Sequence, residues 1–339
     1  MTFKLLGNDV FDSGNSSNFN TVYLSNVKID DGFPGGTAGY ASGGWQPPNS
    51  ETSYIEKFPF ATTVTNASYV ASLSSVTSRA SGHSSTSHGY TTGGGTQSSP
   101  PYQSFSYNKL DKFPFANNSS ATDIGDLAAS RKLHAGQSSS TSGYVTGGYR
   151  NSTLSPVGTN TIEKFPFSTD TNASNIGNLS GSVLWNVGGQ SSLTHGYTSG
   201  GSIANTIDKF PFSTDTNAAF VAYLSSSREI HATQSSLTNG YTGGGGPGGP
   251  PTNVIDKFPF ATDANATNIG NLTQVRTNAS GQSSTSHGYT TGGYEYTNFP
   301  TWRNTIDRFP FSTDSGATDV GDLTAAGNLG RGGTAGQQD

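Results

Sequence analysis

The stretch Ile207-Asp208-Lys209-Phe210-Pro211-Phe212 occurs six times in the chain with small changes; the other copies run 55–60, 110–115, 162–167, 255–260 and 306–311, and all read [I/L]-[D/E]-[K/R]-F-P-F. A fixed block recurring at roughly 50 residues is the mark of a propeller or solenoid, in which each copy is one supersecondary unit that buries its apolar face only against its neighbours. Within the block, Phe58 and Phe60 lie two apart and face one side of a strand, whereas Ile55, Lys57 and Pro59 face the other. The two phenylalanines are therefore expected as core between adjacent units. The proline, with no N–H for a ladder, suits a position beside an irregular edge.

Working outward, a second motif alternates with the first. It reads close to G-Y-x-[S/T]-G-G at 39–44, 89–94, 143–148, 196–201, 240–244 and 288–293. Paired glycines at a strand end allow positive φ and close backbone approach. After each F-P-F comes a polar turn such as 168–173, where Asp and Asn side chains can bond their own backbone. Then, in most copies, comes [I/V]-G-[N/D]-L, as at 124–127, 176–179 and 320–323, read as an outer strand. Each unit thus holds four short strands, and no helical period appears. The repeat begins at the Gly-Gly strand (33–44) and runs out just before a seventh Gly-Tyr would start. The two ends are complementary parts of one unit, and sharing a blade removes the open sheet edges. The expected fold is an all-β, six-bladed β-propeller over residues 33–339, closed by both termini, with residues 1–32 as an N-terminal extension. In that extension Phe3 to Leu6 and Thr21 to Ile29 have strand character, with 12–20 as the loop between.

The order of these signals resembles that of a kelch-type β-propeller. The residues carrying the resemblance are Gly43-Gly44, Gly93-Gly94, Gly147-Gly148, Gly200-Gly201, Gly243-Gly244 and Gly292-Gly293, with Arg79, Arg131, Arg228, Arg276 and Arg331 at the crossovers. Where kelch repeats place a Trp after the turn, this chain has Ala67, Ala121, Ala173, Ala218, Ala266 and Ala317, and F-P-F supplies the bulk. The whole repeat also looks similar, more loosely, to repetitive structural proteins of marine and cyanobacterial tailed phages.

Composition narrows the function. Only 12% of residues are charged, while 19 Phe, 15 Tyr and 3 Trp give a Gly- and Ser-rich chain enough apolar bulk for a core. Cysteine is absent, so no disulfide or thiolate metal site forms. A net charge of −5 without a Lys/Arg cluster argues against nucleic acid. No apolar run suits a signal peptide or membrane insertion. A surface suited to the outside of a cell, without an export signal, fits a virion protein released by lysis. Residues 1–32 are then the expected tether to other virion proteins.

No cofactor, metal site or catalytic constellation is expected. The acid–base pairs of the block recur in every unit, which marks them as structural, and the six histidines lack the spacing of a helical metal pair. An Asx turn of the Thr-Asp-x-Asn type needs no calcium ion.

Spacing supplies the functional signal. The second Phe of a block and the next motif Tyr are always 29 or 30 residues apart (Phe60 to Tyr90, Phe115 to Tyr144), whereas the step from that Tyr to the next second Phe ranges from 15 (Tyr197 to Phe212) to 25 (Tyr90 to Phe115). Length variation therefore sits after Gly-Gly, in a connection that emerges on the same face as the crossover. Variable loops on a repeated scaffold carry specificity. The expected ligand-binding residues are Trp45, Tyr102, Phe105, Tyr107, Tyr149, Arg150, Tyr294, Tyr296, Phe299, Trp302 and Arg303, because aromatic faces with Arg and Asn can stack on a sugar and bond its hydroxyls, or anchor a protein. The function read from the sequence is adhesion to a host-surface glycan or receptor by a non-enzymatic virion protein. Alternatives are an intracellular protein-interaction adaptor and a glycan-active enzyme on the propeller scaffold.

Overall fold

The computed structural model describes residues 4–5, 8–9, 36–46, 50–60, 66–97, 104–150, 157–181, 185–201, 204–246, 251–295, 301–324 and 334–336. The chain divides into two compact units, 1–30 and 31–339. In the first, Lys4–Leu5 pairs antiparallel with Asn8–Asp9, so the first expected strand finds its partner before the loop assigned to 12–20. The second, Thr21 to Ile29, lies outside the described residues, as do Arg331 and most of the chain beyond 324.

The second unit is a six-bladed β-propeller, and no helix occurs among the described residues. Each blade is a four-stranded antiparallel sheet with strands in chain order from the axis outward, as in Gly188–Ser191, His195–Ser199, Thr206–Pro211 and Ala219–Tyr223 of blade 4. Blade 1 draws its inner strand, Thr334–Gly336, from the far end of the chain and pairs it antiparallel with Ala38–Ser42 (Gly39 opposite Gly336).

The two motifs meet inside each blade. The glycine of Gly-Tyr lies opposite the first phenylalanine of F-P-F, Gly89 with Phe113 and Gly196 with Phe210. A Cβ on Gly89 or Gly196 would sit 2.3 Å from that ring's Cζ, so glycine is required for the ring to lie across it. The first phenylalanine of every block is at most 2% exposed. The tyrosine beside the glycine then stacks on the second phenylalanine of the next blade, at centroid distances of 4.7–5.0 Å around all six seams, Tyr289 with Phe60 included. Each seam core joins Tyr, Ile or Leu, and the Leu after the outer strand of one blade to the Phe pair of the next, as Tyr197, Ile207 and Leu224 do with Phe258 and Phe260. Phe60, Phe167, Phe212, Phe260 and Phe311 are only partly buried.

Polar groups lock the same seams. Near the axis, Gln137, Gln190, Gln234 and Gln282 donate from Nε2 to the carbonyls of Tyr197, Tyr241, Tyr289 and Tyr40 at 2.7–3.4 Å. Backbone N–H groups of Ser84, Ser138, Ser191 and Ser235 reach the next blade's Ser138, Ser191, Ser235 and Ser283 hydroxyls. At the rim, the turn after F-P-F does not serve mainly its own backbone, as the sequence suggested. Its Asp takes the block lysine of the preceding blade, Lys112 to Asp170 at 2.8 Å and Lys164 to Asp215 at 3.0 Å. Its Asn takes an N–H from the preceding outer strand, Asn217 from Asn178 at 2.9 Å. Its alanine explains the missing tryptophan: Ala173, Ala218 and Ala266 are buried, and their N–H groups donate to the preceding outer strand's last carbonyl.

Two registers differ from the expectation. In blade 5 the strand runs Asn239–Gly243, so the positive-φ pair is Gly244 and Gly245 (φ 70° and 86°), not Gly243 and Gly244. Arg79 is not equivalent to the other crossover arginines. Arg131, Arg228 and Arg276 stand four residues after Leu127, Leu224 and Leu272 and are fully buried against Glu163, Asp256 and Asp307. Arg79 stands six after Leu73, and Thr77 holds the matching position.

Candidate functional site: the loop face

Beyond Gly-Gly the second and third strands continue as small hairpins. Trp45–Gln46 pairs with Ser50–Glu51, Gly95–Gln97 with Ser104–Ser106, Tyr149–Arg150 with Val157–Gly158, and Tyr294–Glu295 with Thr301–Trp302. In blade 4 the connection closes at once, through Ala204 N–H to Gly201 O. Isolated bridges join crossover to hairpin, Ser78 to Gly95, Lys132 to Tyr149, Glu229 to Gly246 and Thr277 to Tyr294. Variable loops and crossovers therefore share one face.

A collar of strained residues frames the axis on that face. Arg79, Leu133, Asn186, Ile230 and Asn278 all have φ between 56° and 62°. For the β-branched Ile230 this conformation is costly, about 1–2 kcal/mol. Successive N–H···O bonds of 2.8–3.1 Å hold the collar, Leu133 to Arg79, Asn186 to Leu133, Ile230 to Asn186 and Asn278 to Ile230. An axial cavity of about 80 Å³ is lined by Arg79, Leu133, His134 and His231.

Two aromatic clusters stand around this mouth. Trp302 lies 4.3 Å from Tyr294 across its own hairpin and 4.8 Å from Trp45 of blade 1, centroid to centroid. Arg303 pairs with Glu295 and braces that hairpin. Half a ring away, Tyr149 of blade 3 lies 5.0 Å from Trp185, which belongs to the crossover into blade 4, and Lys132 Nζ sits 5.6 Å from the Tyr149 ring centre. Burial, then the Arg79 charge, pushes the Lys132 amine down to about 8, with Glu51 opposing.

The structure thus brings Trp45, Tyr294 and Trp302 together and sets Tyr149 in a second cluster. Arg150 is half-buried beside Tyr149. Phe105 is 49% exposed on the blade 2 hairpin, and Tyr107 bonds Thr96 Oγ1 through its hydroxyl at 2.9 Å. Tyr102, Tyr296 and Phe299 lie outside the described residues. Trp185 was missed because its segment reads as a plain crossover; the available signal was that it is one of only three tryptophans, the other two being in the variable loops.

The opposite face differs. His88, His195 and His287 each make a 2.8 Å hydrogen bond with a neighbouring hydroxyl, of Ser87, Thr194 and Ser286. Partial burial, then Lys112, Lys209 and Arg308 respectively, lowers their pKa values. Among the described residues no group of three or more His, Asp or Glu gathers as metal ligands do, and no helix is long and apolar enough to cross a membrane. No family model matches the chain, and no curated protein is significantly similar to it.

Proposed function

We propose that the chain is a non-enzymatic, kelch-like binding module on the exterior of a phage particle, with its loop face directed at a host-surface glycan. The observation that carries this reading is that all three tryptophans, remote in sequence, lie on the one face where the repeat varies. Indole and phenol faces offer apolar contact area with polar edges, the combination that a pyranose ring with its hydroxyls requires. The virion setting is supported by the looser likeness of the repeat and by residues 1–30, a separate compact unit suited to attachment to other virion proteins.

The test compares the full chain, Trp45→Ala/Trp302→Ala, and Thr171→Ala on the opposite face on one glycan array. Central aromatic anchors contribute at least about 2 kcal/mol, so the double variant should lose roughly thirtyfold or more in affinity with a Tm near that of the parent. Equal binding by parent and double variant, with loss only in Thr171→Ala, would place the site on the other face. Absence of the protein from purified particles together with capture of a cytosolic partner would replace the reading with the intracellular adaptor. Turnover of a bound sugar would replace it with the enzyme.

A further inference from the structure

The crossover arginines show what one buried position in this ring is built to hold. Arg228 Nη2 lies 3.1 Å from Asp256 Oδ2, and its Nη1 donates to the carbonyls of Gly244 and Val254 at 3.3 and 3.0 Å. Arg276 repeats this with Asp307 at 2.9 Å and the carbonyls of Gly292 and Thr305 at 3.1 and 3.2 Å. Arg131 does so with Glu163 and Gly147. A hydroxyl, Ser225 or Thr273, completes the shell in two of them.

At the seam between blades 1 and 2 the backbone is the same and the cation is not. Thr77 N–H donates to Thr52 O and its carbonyl accepts from Gly44, the bonds that Arg276 makes with Thr252 and Gly245. The carboxylate is retained, for Asp111 is 4% exposed and its Oδ2 accepts from Ser74 N–H at 2.9 Å. Its Oδ1 is buried with no hydrogen-bond partner among the described residues. The threonine hydroxyl reaches only Gly93 O, at 3.3 Å. Lys109, whose charge acts on Asp111 and partly offsets its burial, holds its amine against Ser74 Oγ at 3.3 Å and Asp123 at 3.8 Å. The corresponding positions of the two remaining seams fall among residues 182–184 and 325–333, outside the described residues.

We propose that this seam is a binding site for a small monovalent cation, Na⁺ or K⁺, held by Asp111 Oδ1 with the carbonyls of Gly93 and Lys109 and the Ser74 hydroxyl. These are the counterparts of the oxygens that surround a guanidinium elsewhere in the ring. A buried carboxylate oxygen without a partner is costly, and burial accordingly raises the Asp111 pKa. One carboxylate with neutral oxygens suits a singly charged ion better than a divalent one, which gathers more carboxylates. The exposed Ser74 gives the ion a way in.

Thermal unfolding of the full chain at pH 7 in NaCl, KCl or choline chloride at equal ionic strength tests the site, since choline is too large to enter. An ion that binds only the folded state should raise Tm saturably by roughly 2–5 °C over choline. Thr77→Arg, which restores the guanidinium, should melt higher in choline and lose the response to Na⁺ and K⁺. Asp111→Asn should also lose the response. Equal Tm in all three salts, or a response that persists in either variant, overturns the proposal. If a variant fails to fold, a rubidium-soaked crystal of the parent decides: an anomalous peak beside Asp111 Oδ1 supports the site and a blank map there refutes it.

Discussion

The six seams and the loop face are built from the same repeat under opposite rules. In the aromatic core of a seam the same residue types meet at nearly the same distances from blade to blade, the Tyr–Phe stacks varying by only 0.3 Å between 4.7 and 5.0 Å. On the loop face, blade 4 closes its connection in one turn while blade 6 builds a hairpin around Tyr294 and Trp302. The difference teaches that side chains which repeat hold the ring together, and side chains that break the repeat are released from that duty.

The most severe way to test the division is to delete residues 334–339. Blade 1 would then lose its inner strand, leaving the Ala38–Ser42 edge unpaired. Denaturant unfolding should show the largest loss of any change considered, with the cooperative transition broadened; a truncated chain that melts like the parent would mean that closure is not by this strand. Next comes Phe210→Ala, expected to cost about 3–5 kcal/mol because the ring is fully buried between blades 3 and 4. Phe212→Ala, at a partly buried ring, should cost about half of that. Equal costs would show that the stack on Tyr144, not burial, dominates the seam.

The third is a pH effect. His83 stands where four other blades have glutamine, and its Nδ1–H donates to Gln137 O at 3.0 Å. Burial pushes its pKa from 6.5 down to about 4. A depressed folded value means that the neutral ring favours the fold above pH 6.5 and that this advantage drains away as pH falls from about 6.5 to about 4, by roughly 3 kcal/mol at most. His83→Gln should flatten the stability profile over that window; an unchanged slope would assign the acid sensitivity elsewhere. The smallest effect is expected for Lys164→Ala, which removes a solvent-exposed pair with Asp215 and should cost no more than about 1 kcal/mol in urea titrations.

Much of this division was legible. The spacing of F-P-F and Gly-Tyr implied six blades, a shared closing blade and a common face for loops and crossovers. What escaped was contact between residues far apart in sequence. Nothing in the block says that Lys112 will meet Asp170, 58 positions on, or that the glycine of Gly-Tyr exists to make room for a ring on the neighbouring strand. The misplacement of Arg79 was avoidable, since counting from the leucine after the outer strand separates it from Arg131, Arg228 and Arg276. On the loop face, Trp45 and Trp302 were singled out by residue type. Their stacking across blades 6 and 1 depends on ring closure, which only three-dimensional proximity reveals.

That closure also sets a timetable for biogenesis. During translation Ala38–Ser42 emerges early, yet its partner Thr334–Gly336 leaves the ribosome about 300 residues later. Blades 2 to 6 can each assemble from a contiguous stretch as it appears, whereas blade 1 must wait with a bare edge. Bringing such distant ends together costs little more in entropy than a loop half as long, about 0.6 kcal/mol per doubling. The delay is thus chiefly one of exposure time, and a stalled or prematurely ended nascent chain would present its unpaired edge to every other nascent copy nearby.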